Sequence, residues 1–450
     1  MPAPIIEAVT AMLICDGEVL LTRRQPQMPV FPGYWAFPGG KIDKTDSSEA
    51  LAHPLLQPQD PRLLRALCRE LQEELGFDLA GACADDEVTY LSEFGRALTP
   101  PFMPVRFDTR SYLIELRKKP AFTLDPREIA EIEWHPPAEF YARYERGRLL
   151  AAPPTVTTLR ALAADPATRC IPVLNYEFDA ERYVPCVEMI RGVRQLAVRS
   201  NTLPPADRTN AFLIGDTAET RFLVDPAPKN QAELERLLNT ATPIGFSAVF
   251  LTHHHKDHRE YADEIARRLK LPIHLSADTQ ERIQRKTRGR FFKDVEIKVR
   301  GEGEVLTQWL GEPVHIYAVP GHDAGQLALM PESRSWCIVS DLIQGIGTVV
   351  ISKPEGNMSL YFESLRRVIE LNPAVIFPSH GAALGTTYRL QATLAHRIER
   401  ESQVLELHKK GYSSLRMLPS IYKGIDPRLY PLALRNIQSH LDKLRAESRI

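Results

Sequence analysis

Apolar and polar positions divide the chain into two halves of alternating strand-like and helical runs, followed by a final stretch that is helical in pattern. Near the start, IIEAVTAMLIC (5–15) and EVLLTRR (18–24) flank Asp16-Gly17, a pair that predicts a hairpin. The aromatic strand PGYWAFPGGKID follows and ends in Gly39-Gly40. In RLLRALCRELQEELGFD, Leu63, Leu64, Leu67, Leu71 and Leu75 recur at helical spacing, and Gly76 stands where a C-cap stops the helix. AAPPTVTTLRALAAD (151–165) predicts a closing helix, and the looser Pro-, Asp- and Arg-rich residues 166–184 read as a linker. VEMIRGVRQLAVRS, NAFLIGD and TRFLVDPAP then predict paired strands, and Ser247–Leu251 a buried one. From Tyr388 to Ile450 the pattern is helical, with breaks at Gly411 and Pro427. The organisation expected is a first domain over 1–165, the linker 166–184, a second domain over 185–387 and a helical module over 388–450.

Composition adds little to this and excludes some classes. The 450 residues suit about two to three domains, and 44% hydrophobic with 25% charged residues is ordinary for a globular protein. A net charge of −1 argues against polyanion binding by bulk charge, so any such surface must be local. The six cysteines lack CxxC spacing and read as reduced, mostly buried thiols. No signal peptide and no apolar membrane span are seen, so a cytoplasmic location without a membrane partner is expected.

The densest chemistry lies in LTHHHKDH, Leu251 to His258. An extended segment aims His253 and His255 to one side and His254 to the other, so His254 is not expected to be a ligand. Asp257 and His258 fall at the turn into a helical pattern beginning near Arg259. His322 in VPGHDAG, Asp341 in CIVSDLI and His380 in VIFPSHG each follow a strand-like run. A lone histidine is ordinarily a surface or core residue, and a His-rich tract can bind metal incidentally. Four potential ligands at HxHxDH spacing, with three more at strand ends, point instead to a metal centre. Imidazole with carboxylate suits zinc, and iron or manganese also fit.

These segments, THHHKDH, PGHDAG, SD and PSHG in that order, resemble the metallo-β-lactamase superfamily over roughly residues 185–385. The resemblance implies an αββα sandwich with two divalent ions, zinc foremost, at one edge of the paired sheets. His253, His255 and His322 would hold the first ion, Asp257, His258 and His380 the second, with Asp341 bridging. Asp257 would also orient the attacking hydroxide. Asp225, at another strand end, reads as a supporting carboxylate, and His274 and His315 as packed side chains. Thr279–Arg300, rich in Arg and Lys, reads equally as a basic exposed loop or as a surface steering a phosphate-bearing substrate. The glycines after Asp341 let backbone approach the site closely.

In the first half, Glu70, Glu73 and Glu74 share one helix face, where unpaired carboxylates repel one another unless cations bind. RELQEELGF (69–77), with Gly40 after PGG, resembles the second half and opening glycine of the Nudix box, over roughly residues 5–160. Residues 47–68 interrupt that box between Asp46 and Arg69, and this interruption, with MPVFPGYWAFPGGKID, is similar to the coenzyme A diphosphatase-like branch. The resemblance implies an α/β/α sandwich, closed by a strand at LDPREIAEIEW, with Glu70, Glu73 and Glu74 holding Mg or Mn. Glu73 or Glu74 would help activate water, and Arg69 would pair with a carboxylate on the helix. A module that only binds its ligand is the bland alternative.

Residues 388–450 carry 12 lysines and arginines against 6 acids, a balance of +6. The stretch resembles the winged-helix-like module of the lactamase-like endoribonuclease branch, which implies single-stranded RNA as a partner. Few stacking aromatics are present, and a lid or a homodimer surface reads equally well. The fold expected is therefore a multidomain α/β and α+β chain, a Nudix sandwich followed by a metallo-β-lactamase sandwich and a helical module. The function expected is metal-dependent hydrolysis by a hydroxide held between two metals, with a nucleotide or coenzyme A derivative as the ligand of the first half. RNA cleavage, thioester or lactone hydrolysis of the glyoxalase type, and a non-catalytic nucleotide-binding scaffold are the readings left open.

Overall fold

The computed structural model describes residues 5–450 apart from 50, 58, 101–104, 172, 173, 175–177 and 425. Contacts divide the chain into residues 1–180 with 187–191, and residues 181–186 with 192–450. The expected linker, 166–184, overlaps this division, and five of its residues, 172, 173 and 175–177, lie outside the described set.

In the first unit, Asp16 and Gly17 both take positive φ, so β1 (Ile5–Cys15) folds back antiparallel on β2 (Glu18–Arg24). There follow β3 (Trp35–Ala36), α1 (Pro61–Leu75), α2 (Leu79–Ala84), β4 (Val88–Leu98), β5 (Arg106–Leu116), β6 (Ile129–His135), α3 (Pro137–Glu145) and α4 (Pro153–Ala164). The Asp60 carboxylate caps α1 by accepting from the Arg62 N–H, and Gly76 ends the helix at φ 65°. The sheet runs β3-β2-β1-β5-β4 with β6 on β2, and β1 pairs parallel with β5. Successive β1 side chains face opposite ways. Val9, Ala11 and Leu13 pack on the leucines of α1, and Met12 packs with Phe140 and Leu159 of α3 and α4. The sheet is thus covered on both sides, an α/β/α sandwich. Within β7 (Cys186–Ile190), the Met189 carbonyl accepts from the Ala151 N–H at 3.0 Å.

The second unit contains two sheets. The first holds β8 (Val193–Arg199), β9 (Arg208–Ile214), β10 (Phe222–Val224), β11 (Ala248–Phe250), β12 (Ile273–Leu275) and β13 (Ile297–Val299), adjacent in that order. Its helices are α5 (Gln231–Ile244), α6 (Lys256–Arg259), α7 (Ala262–Leu269) and α8 (Ala277–Thr287). The second sheet holds β14 (Val305–Trp309), β15 (Glu312–Ala318), β16 (Leu327–Pro331), β17 (Cys337–Ser340), β18 (Val375–Pro378) and β19 (Leu384–Gly385), with α9 (Met358–Leu371) on its outer face. Phe212 of β9 meets Phe377 of β18 edge-on at 5.6 Å between ring centroids, and Leu327 N–H donates to the Thr252 carbonyl at 2.9 Å, so the sheets face each other. Outside them, Leu234 and Ile265 bury against the first sheet and Leu365 and Val368 against the second. The layers are αββα.

Helices α10 (Tyr388–Lys409), α11 (Ser414–Ile421) and α12 (Tyr430–Ala446) close a small core around Val404, Met417, Ile437 and Leu441. Three expectations change. Thr279–Arg300 is not a loop: the Ser276 hydroxyl accepts from the Thr279 N–H at 3.1 Å, Thr279 and Ile283 bury one face, and the segment is mostly α8, a 3₁₀ turn and β13. The helix expected near Arg259 begins at Lys256, so Asp257 and His258 lie within α6. Of the six free cysteines only Cys15, Cys83 and Cys337 are buried, and Cys170 is exposed. Among the described residues no helix is long and apolar enough to cross a membrane.

Leu71 is fully buried between α1 and the sheet. Leu71→Ala is expected to destabilise the first unit by about 2–5 kcal/mol. Hydrogen exchange should accelerate in β1, β5 and α1 while rates in the second unit stay unchanged.

Candidate metal centre

The strands β10, β11, β17 and β18 end at one edge of the second unit, and Asp225, Thr252–His258, Asp341 and His380 follow those ends. Gly321 places His322 beside them: its φ is 140°, and a Cβ there would lie 2.3 Å from Tyr361 Cα, so only glycine fits. Gly345 N–H donates to the His380 carbonyl at 2.7 Å, the close backbone approach expected of the glycines after Asp341.

Three imidazoles converge. His253 Nε2 and His322 Nε2 each lie 3.0 Å from His255 Nδ1. Their other nitrogens are engaged. His322 Nδ1 donates to the Val350 carbonyl at 2.9 Å, His255 Nε2 to Glu355 Oε2 at 2.9 Å, and His253 Nδ1 faces the Thr252 and Ser340 hydroxyls at 3.1 and 3.2 Å. With His322 Nδ1 and His255 Nε2 donating, the neutral His322 and His255 rings turn lone pairs on each other, which repel unless a cation stands between them.

A second set lies alongside. Asp257 Oδ2 is 4.0 Å from His258 Nε2 and 3.8 Å from His380 Nε2. Asp341 spans both sets: Oδ1 is 3.6 Å from His258 and His380 Nε2, and Oδ2 is 3.5 Å from His322 Nε2. His258 Nδ1 donates to Asp225 Oδ2 at 2.9 Å, and His380 Nδ1 to the Arg208 carbonyl at 2.8 Å. Asp225 also accepts from the Thr252 N–H and hydroxyl at 2.8 and 2.6 Å, which fits its expected supporting role, although it also groups with His253 and His258. His258 Nε2 and Asp341 Oδ1 are buried without a hydrogen-bond partner. Buried orphans of opposite polarity, beside bare imidazoles and carboxylates, make a donor set that fits divalent cations.

The electrostatics agree. Burial, with the His258 and His255 rings, holds His253 well below the usual imidazole range, and burial pulls His322 down to about 4. Burial opposes charge on His258, but Asp341, Asp257 and Asp225 raise it well above that range. Burial would raise Asp341, yet His258, His380 and His322 hold it well below the carboxylate range. The proton His258 shares with these carboxylates is the one a cation displaces.

His254, in a bend beyond the end of β11, is not idle. It forms a further group with His255, Asp323 and Glu355: its Nδ1 lies 2.5 Å from Asp323 Oδ2 and its Nε2 3.0 Å from Glu355 Oε1. Asp323 adjoins His322 in PGHDAG, but no spacing in the chain marks Glu355. His274 is packed as expected, edge-on to Phe222 at 4.8 Å, and His315 is half-buried on β15.

In the first unit the Arg69 guanidinium forks onto Asp46 at 3.1 and 3.0 Å and reaches Glu70 at 2.8 Å and Glu73 at 2.9 Å. Asp46 therefore ties the interrupted loop to the helix, and Arg69 pairs off the helix as well as along it. Glu74 accepts from the Gly39 N–H at 2.8 Å, and a Cβ on Gly40 would lie 2.4 Å from Glu70 Oε2. Burial pushes Glu74 up to about 8 against the Gly39 N–H and Arg24, and burial also raises Glu70 against Arg69. Among the described residues, the groups of three or more ligands within 4.8 Å all lie in the second unit, so Glu70, Glu73 and Glu74 share a face without converging.

Comparison with known proteins follows this division. Residues 5–153 match the NUDIX domain, 204–380 the metallo-beta-lactamase superfamily and 413–450 the beta-lactamase associated winged helix domain. A "Beta-lactamase-like protein 2 homolog" of Caenorhabditis elegans is 26% identical over 247 residues, 52% of this chain and 78% of its own length. The "Atrochrysone carboxyl ACP thioesterase AgnL7" of Paecilomyces divaricatus is 26% identical over 200 residues, 44% of this chain and 58% of its own. The crystal structure of a beta-lactamase domain protein from Burkholderia ambifaria superposes with a TM-score of 0.50 at 20% identity, covering 60% of this chain and 91% of that one, a likeness of fold.

The raised Glu74 makes stability pH-dependent. The folded state holds the proton more tightly than the unfolded chain, whose glutamate titrates near 4.5. The contribution is whole below pH 4.5 and is lost as pH rises towards about 8. With chelator present, urea unfolding of the first unit should show stability falling across that window, and Glu74→Gln should flatten the slope.

Proposed function

We propose, from the premise that this chain is a fusion of a NUDIX domain with a metallo-beta-lactamase superfamily domain and its associated winged helix domain, that the second unit is a metal-dependent acyl-thioester hydrolase. The convergence of His253, His255, His322, Asp257, His258, His380 and Asp341 carries the reading. A pair of divalent cations, zinc foremost, supplies an activated water and neutralises charge developing on the attacked carbonyl when bound there. His253, His255 and His322 would hold one cation, and Asp257, His258 and His380 the other. Asp341 reaches both sets through its two oxygens. The Asp257 side chain, 20% exposed against 6% for Asp341, is the more open carboxylate and orients the incoming water.

The substrate class draws on the thioesterase among the relatives. It draws also on the NUDIX unit, which suits a nucleoside-diphosphate-linked ligand such as a coenzyme A derivative, bound or hydrolysed with Mg or Mn at Glu70, Glu73 and Glu74. Glu73 and Glu74 would share the activation of water in that unit. RNA is disfavoured because part of the basic balance of residues 388–450 is spent inside the fold. Arg397 bonds the Val349 carbonyl, Arg400 the Ile421 carbonyl, and Lys443 and Arg449 the Glu401 carboxylate.

Metal analysis of protein purified without added metal is expected to return two transition-metal cations per chain, apart from any Mg or Mn on the NUDIX unit. In a panel of acyl-thioesters, RNA and nucleoside-diphosphate derivatives, thioesters should turn over, and His255→Ala should cost more than the ~10–100-fold typical of losing only an outer partner of a ligand. RNA cleavage with thioesters untouched would overturn the substrate class, and bound metal without turnover would leave a scaffold.

A further inference from the structure

We infer that the C-terminal helical module positions two of the first cation's three imidazoles through one strap of chain, residues 349–355. The inference rests on the metal-binding reading above.

Both acceptors that orient those imidazoles sit on this segment: the Val350 carbonyl takes the proton of His322 Nδ1, and the Glu355 carboxylate that of His255 Nε2. The segment is neither helix nor strand, so no ladder fixes it. Side chains of α10 and α12 do. Arg397 Nη2 donates to the Val349 carbonyl at 2.5 Å. Asn436 Oδ1 accepts from the Ile351 N–H at 3.0 Å, and the Ser439 hydroxyl donates to the Ile351 carbonyl at 2.7 Å. Lys353 pairs with Asp442 at 3.1 Å. Arg397, Asn436 and Ser439 are 2%, 5% and 6% exposed, so each bond is made out of water, where leaving a partner unpaired is costly. A helix docked for apolar burial alone needs none of these bonds. Here three side chains grip the backbone on both sides of Val350.

The far end of the strap is locked from the sheet side. Glu355 Oε1 accepts from Lys286 Nζ at 2.7 Å and faces His254 Nε2, while Asp323 holds His254 Nδ1. A carboxylate on a ligand imidazole fixes its tautomer and raises its basicity. Asn436, Ser439 and Glu355 are accordingly positioning residues for one cation and not the other: neither Val350 nor Glu355 touches His258 or His380, whose Nδ1 atoms bond Asp225 and the Arg208 carbonyl.

The test uses the full chain loaded with zinc and titrated against a chromophoric chelator. Asn436→Ala and Ser439→Ala are each expected to weaken one of the two cations about 10–100-fold and leave the other unchanged, and Glu355→Gln should weaken the same one. Ser439→Thr, which keeps the hydroxyl, should restore wild-type affinity. Leu444→Ala cuts the buried core of the module without touching the strap, and should lower thermal stability with both affinities kept. Folded Asn436→Ala and Ser439→Ala proteins with two wild-type affinities would overturn the inference, as would equal weakening by Leu444→Ala. A wild-type chain that binds no zinc would overturn the metal reading along with it.

Discussion

Three imidazoles converge with their nitrogens 3.0 Å apart, and His322 and His255, whose other nitrogens donate, turn lone pairs on each other, an arrangement that opposes itself. Neutral rings in water would rotate apart or take up protons. Rotation is closed to them here, because each ring's other nitrogen is engaged by a carbonyl, a carboxylate or a hydroxyl. Those partners come from two places in the chain, Thr252 after β11 and the strap that carries Val350 and Glu355, and the fold brings them together. Much of the second unit thus serves to keep a set of rings facing inward that repulsion would scatter. His258 and Asp341 differ: their buried, unpartnered atoms carry opposite charge and attract across 3.6 Å.

The first unit handles crowding by another means. Its carboxylates are close along one helix face, and a guanidinium, already part of the chain, lies between Asp46, Glu70 and Glu73. Arg69 delivers charge in a planar fork, so it ties a loop to a helix as well as neutralising it. Its hold on the three acids is uneven. The Asp46 and Glu70 side chains are 5% and 10% exposed, whereas that of Glu73 is 59% exposed, and a pair so open to water is worth about 0–1 kcal/mol. Glu73 is the acid that can leave the arginine most cheaply and turn towards a divalent ion.

The seven side chains that converge in the second unit were legible as candidates because each lies after an apolar run, and a strand end is where a sandwich presents its chemistry. The leucine spacing of α1, the hairpin at Asp16-Gly17 and the stop at Gly76 were legible for the same reason: local periodicity and turn chemistry act within a few residues. Long-range partners were not. Glu355, Lys286 and the Val350 carbonyl meet the histidines across the fold from segments whose own pattern announces nothing. Alternation set His254 apart from its neighbours but was silent on the Asp323 and Glu355 carboxylates that meet it. The helix start at Lys256 was misplaced because the apolar pattern begins later than the backbone turn, and Thr279–Arg300, exposed as expected, read as a loop because its charges outnumber the few positions that bury a helix face.

The parallel ladder at the centre of the first unit joins Ile5 to Arg106 and continues to Ile14 and Glu115. Every contact in it closes a loop on the order of a hundred residues long, and loop-closure entropy must be met before any pairing repays it. During synthesis, then, β1 leaves the ribosome as an apolar strand whose parallel neighbour does not yet exist. It can fold back on β2 at once, but its other edge stays open until β5 has emerged, which makes that edge the part of the nascent chain most in need of shelter from other strands.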